Sequence, residues 1–216
     1  MSKARGWLLL VTVALICKPM PLHAIEAETA QPLGGGAPLS VSILGTVYNI
    51  PTGYFFRGNR AAPVLRVSYP DMKPFSDETK DCFDRDLTKK SPCSSLEIRL
   101  APNAPSLKNE DRLDAFLKNP KVIHRTDIHP FNYDLYVTGG ASARVELYTK
   151  PQEKILFYCD IISVEPDIGL CQDDVRLTDG NSAKVFFNLD LVGKVADIEE
   201  RLRALMDGFA VEPVRR

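Results

Sequence analysis

The chain has 216 residues, of which 44% are hydrophobic, 25% charged and 8% aromatic, the composition of an ordinary globular protein and not of a collagenous, disordered or multi-span membrane chain. With 27 basic and 28 acidic residues the net charge is -1, which offers no broad field for phosphate and argues against nucleic acid as a partner. Sixteen prolines and thirteen glycines among short apolar runs point to a β-rich chain with many turns.

The first 24 residues have the form of a secretory signal peptide. Lys3 and Arg5 precede an 11-residue apolar run, Trp7 to Cys17, and Lys18-Pro-Met-Pro-Leu-His-Ala24 follows, with cleavage expected after Ala24. About 20 residues are needed to cross a bilayer, so no membrane insertion of the mature chain is expected. Ile16 before Cys17 argues against a lipoprotein, because a lipobox wants a small residue there. Cleavage removes Lys3, Arg5 and Lys18 and no acid, leaving 24 basic and 28 acidic residues and a net charge of -4.

Residues 25–40, with Gly34-Gly-Gly-Ala-Pro38, read as a flexible leader. Alternating β-branched residues over 41–50 predict one strand, ended by Pro51-Thr-Gly53. Further strands are expected over 64–69 and 95–100, then a short helix over 111–118 closed by Asn119-Pro120, then strands over 131–137, 143–148, 154–162, 171–177 and 183–189. Thr138-Gly-Gly-Ala141 reads as a hairpin turn. Val195, Ile198, Leu202, Leu205, Met206 and Phe209 recur at threes and fours and make one face of a helix that core packing accounts for, with Glu199 and Arg203 an exposed i,i+4 pair and Gly208 near its end. The fold class is α+β: an antiparallel, meander-like β-sheet with one short middle helix and a C-terminal amphipathic helix packed on it. The organisation expected is signal peptide 1–24, leader 25–40, one domain over 41–210 and a tail over 211–216.

Four cysteines remain after cleavage, Cys82, Cys93, Cys159 and Cys171, and an even count in an exported chain predicts disulfides. Three pairings are possible. Turn residues between the members favour the local ones, Cys82 with Cys93 and Cys159 with Cys171, and no C-x-x-C spacing speaks for zinc or redox chemistry.

No catalytic motif stands out. His124 and His129, five residues apart with Asp127 between them, would need an irregular loop to share a metal and read better as loop histidines. There is no G-x-S-x-G elbow, phosphate loop or dinucleotide fingerprint, so no enzyme, metal or cofactor is expected. Asp84 to Asp86 and Asp173-Asp174 read as solvated turns. The binding candidate is the turn-rich Asn49-Ile-Pro-Thr-Gly-Tyr-Phe-Phe-Arg-Gly-Asn-Arg60, whose Tyr54, Phe55, Phe56, Arg57 and Arg60 are residue types that dominate interfaces, although some rings also suit a core.

The order of Tyr48-Asn-Ile-Pro51, Leu65-Arg-Val-Ser-Tyr-Pro-Asp71, a Phe157-Tyr-Cys159 to Cys171 hairpin and a closing strand and helix resembles small periplasmic immunity proteins encoded beside type VI secretion effectors, over most of residues 41–209. The resemblance implies a non-enzymatic periplasmic inhibitor that occludes a cognate toxin, often a lipase or cell-wall hydrolase. It carries over no contact residues. A periplasmic binding protein for a small ligand or envelope component is the alternative.

Overall fold

The computed structural model describes residues 37–59, 62–83, 93–100, 109–164 and 166–211. The expected signal peptide, the leader up to residue 36, Arg60 and the acidic stretch Asp84 to Asp86 lie outside the described residues. The segment over 41–50 forms two strands, not one. Leu44 and Gly45 both take positive φ (45° and 93°), as a two-residue hairpin turn with the right twist requires, so β1 (Leu39–Ile43) folds back on β2 (Thr46–Ile50) with Ile43 opposite Thr46.

A 3-10 turn (Thr52–Tyr54) leads into β3 (Phe55–Asn59), a strand within the segment that the sequence marked as rich in turns. Then come β4 (Ala62–Tyr69), β5 (Ser94–Leu100), helix α1 (Asn109–Leu117) and the short β6 (Ile123–Arg125). The strand expected from Phe131 starts at Asp134. Phe131 and Asn132 sit in a 3-10 turn with positive φ (56° and 65°), and the Phe131 ring lies so close to Gly193 that a Cβ there would come within 2.6 Å of it. β7 (Asp134–Gly139), β8 (Ala143–Lys150), β9 (Ile155–Ile162), β10 (Ile168–Arg176) and β11 (Ser182–Asn188) follow, then α2 (Val195–Phe209) and β12 (Ala210–Val211).

Nine strands make one antiparallel sheet in the order β3-β4-β5-β11-β10-β9-β8-β7-β6. It is two meanders, β3 to β5 and β6 to β11, joined by the pairing of β5 with β11, in which Glu97 faces Phe186 and Ile98 faces Val185. After β5 the chain crosses through α1 to the far edge. β1, β2 and β12 form a second, three-stranded sheet, with Ala210 opposite Tyr48.

α2 and the small sheet pack on one face of the large sheet. Leu65, Val67, Leu96, Ile98, Phe157, Cys159, Val185 and Phe187 meet Val195, Ile198, Leu202 and Met206 there in a shared apolar cluster. Tyr48 binds the small sheet to the large one: its hydroxyl donates to Asp179, and Asn181 Nδ2 donates to Asp179 Oδ2 (2.7 Å), to the Tyr48 hydroxyl (3.1 Å) and to the Ile43 carbonyl (3.2 Å).

Both cysteine pairs favoured by spacing are bonded. Cys159 and Cys171 stand opposite each other on β9 and β10, and Cys82–Cys93 ties a 3-10 turn (Lys80–Phe83) to the start of β5. Glu199 and Arg203 pair as their spacing predicted, but Glu199 is half-buried, not exposed. Asp173-Asp174 are not a turn: they lie inside β10, and Asp173 points into the core at 4% exposure. No helix among the described residues is long and apolar enough to cross a membrane.

Candidate partner-binding face

Strand alternation sends every second side chain of the large sheet away from α2. On β4 these are Val64 and Arg66, on β5 Glu97 and Arg99, and on β11 Lys184 and Phe186. The register sets them in rows across the strands. One row runs Arg57, Val64, Arg99, Lys184, Asp174, and the next runs Arg66, Glu97, Phe186, Gln172, Tyr158.

Glu97 is the hub. It accepts hydrogen bonds from Arg57 Nη2 (2.9 and 3.2 Å) and from Arg99 Nε (2.8 Å), while Arg57 and Arg99 stay 54% and 46% exposed. The guanidiniums also lie on rings: Arg99 is 4.1 Å from the Phe186 centroid, Arg66 is 4.9 Å from Phe56 and 5.3 Å from Phe83, and Arg57 is 5.3 Å from Phe56. Phe83 reaches Arg66 because the Cys82–Cys93 bond holds its turn beside β4 and β5. Ion pairs this exposed add little stability, roughly 0–1 kcal/mol each, so what this arrangement contributes is a pre-positioned surface.

The structure divides the residues singled out from sequence. A bulge between Phe55 and Arg57 turns Phe56 and Arg57 toward this outer face. Tyr54 and Phe55 instead pack against the core cluster, Tyr54 with its ring edge-on to Phe209 at 5.0 Å. Arg66, Glu97, Arg99, Lys184 and Phe186 were not anticipated. Each occupies the outward beat of an alternating strand, which all but Phe186 mark in the sequence by being polar, but only the β5–β11 pairing brings them together.

His124 lies on β6, not in a loop, and stacks on Tyr136 (4.4 Å), whereas His129 Nδ1 is 3.7 Å from Asp134 Oδ1. Asp127 is occupied by Arg125 (2.8 and 2.7 Å), whose hydrogen bonds hold its carboxyl down to about 2. Among the described residues no three His, Cys, Asp or Glu side chains are placed to hold a metal ion.

An open cleft of about 670 Å³ lies between the end of β4 and the start of α2, lined by Tyr69, Pro70, Asp190, Lys194, Asp197 and Arg201. Its central polar groups satisfy one another. Tyr69 and Arg201 each donate to Asp197 Oδ2 at 2.7 Å, burial and the Asp197 bond push the Tyr69 hydroxyl up to about 12, and the Arg201 and Tyr69 bonds hold Asp197 below the usual carboxylate range.

No family model matches the sequence, and no curated protein matches it. Among solved structures the fold is similar to an immunity protein of the type IV secretion system of Stenotrophomonas maltophilia, with a TM-score of 0.54 and 12% identity over 86% of this chain and 100% of that one.

Proposed function

We propose that this protein is an immunity protein: exported to the periplasm, it binds and occludes a cognate antibacterial effector, such as a lipase or cell-wall hydrolase, and performs no chemistry itself. The observation that carries the reading is the likeness to a secretion-system immunity protein across that protein's whole length. Two local disulfides suit an oxidising compartment, and an exposed face of arginines on aromatic rings suits protein recognition. The neighbour serves a type IV system and the sequence resembles immunity proteins of type VI systems, so the reading rests on the role common to both.

The test is to use the oxidised mature chain as bait against the secreted fraction of its source cells, identify the retained protein by mass spectrometry, and express that protein in the periplasm of a sensitive strain. Growth arrest that the chain relieves is the expected result. A captured protein that stays toxic in the presence of the chain, or no retained protein, would overturn the proposal.

A further inference from the structure

The outer face of β3, β4, β5 and β11 gathers Arg57, Arg66, Arg99 and Lys184, with Glu97 on β5 and Asp174 on the neighbouring β10 as the acids beside them. Asp174 is engaged at 3.1 Å by Arg112 of α1, and its other oxygen is 3.9 Å from Lys184. In a chain with a net charge of -1, this local excess of positive charge departs from the average. Arg57 and Arg99 share one carboxylate, Glu97, yet remain about half exposed. A guanidinium carries five N–H donors, more than half of one carboxylate can use. Glu97 thus shows how a carboxylate is gripped at this spot.

We infer that this face binds an acidic, aromatic-bearing segment of the effector, Arg57 and Arg99 taking a partner carboxylate in the fork they form around Glu97, and the guanidiniums stacked on Phe56 and Phe186 providing flat contact for its ring. The inference rests on the immunity reading for who the partner is, and on charge complementarity for what it presents. Glu97 and Asp174 amid the cations suit discrete carboxylates and repel a continuous phosphate backbone.

The first probe is a fluorescently labelled peptide of alternating glutamate and tyrosine, followed by anisotropy with the oxidised mature chain at low ionic strength. Combined Arg57→Ala and Arg99→Ala weakens binding by about tenfold, as expected for losing two charge-assisted contacts. Glu97→Gln, which removes the internal competitor, tightens it, a gain that a merely structural role would not produce. Arg125→Ala, which removes one positive charge from the opposite edge of the sheet, changes nothing. If the double variant melts early, the sign of the Glu97→Gln effect decides the matter.

Absence of binding, indifference to Glu97→Gln and the arginine pair, or equal competition by a single-stranded oligonucleotide would overturn the inference. Co-expression with the captured effector separates the two proposals. If wild type and double variant protect equally, the face is not the contact and the immunity reading stands. If wild type fails to protect while the peptide signature persists, immunity falls and the acid-binding face stands.

Discussion

Asp173 is a carboxyl group in an apolar wall. It shares its side of β10 with Cys171 and Val175, is 4% exposed, and its Oδ2 receives no hydrogen bond among the described residues. Burial first, and then the Glu199 carboxylate beside it, hold its proton on well above the usual carboxylate range, because a bound proton turns two facing acceptors into a donor and an acceptor. The unfolded chain releases this proton near pH ~4, so the stability Asp173 lends is full below that value and is lost as the pH rises through its folded value. Asp173→Asn is therefore expected to melt like wild type at about pH 4 and at a higher temperature at about pH 8, as read by thermal unfolding across pH. Coincident melting temperatures at the higher pH would show that Asp173 carries no such cost. Read from sequence as a turn residue, Asp173 points inward instead, on the same beat of β10 as Cys171 and Val175 two positions away on either side. The partner across from it was not legible either, since Glu199 lies on a helix that the linear sequence cannot dock.

At the scale of elements, legibility followed periodicity. α2 was readable because Val195, Ile198, Leu202 and Met206 return to one side every turn, and all four are buried. Its end was less so: Gly208 stays inside the helix, and the chain turns extended at Ala210 to pair with β2. The β1–β2 hairpin was hidden because its first turn position is Leu44, a residue that disfavours the left-handed backbone it adopts, in place of the asparagine or aspartate that usually precedes such a glycine. Leu44 is 67% exposed and surrenders little packing. Leu44→Asn is thus expected to stabilise the protein by about 0.5–1 kcal/mol in denaturant titration, by relieving the backbone without altering the core. A loss of stability would mean that the Leu44 side chain has a packing role.

Over the whole molecule, covalent and polar ties hold what local sequence does not. Cys159 and Cys171 are fully buried beneath α2 and join two central strands across their hairpin, at a sequence separation of 12. Replacing both by alanine is expected to cost about 2–4 kcal/mol, and reducing agent should lower wild type by more than it lowers the variant, which keeps only the Cys82–Cys93 bond to lose. Equal melting of oxidised wild type and variant would assign the pair no share in stability. The Cys82–Cys93 bond acts on the surface instead, because the turn it holds supplies the ring under Arg66. The Tyr48, Asp179 and Asn181 cluster fastens the small sheet to the large one, an attachment between residues more than 130 positions apart.

By itself the sequence determined the fold class, the two helices, most of the strands and the local pairing of the cysteines, because periodicity and short loops are properties of neighbouring residues. Only the tertiary structure decided that residues 41–50 make a separate sheet with Ala210–Val211, that β5 pairs with β11, and that Phe56 and Arg57 join Arg66, Glu97, Arg99 and Phe186 on one face. The cost of closing a long loop grows only slowly with its length, so several distant partners are nearly equivalent for any strand until side-chain packing and register choose among them. That choice is made by the core as a whole, and it is also what assembles the candidate binding face.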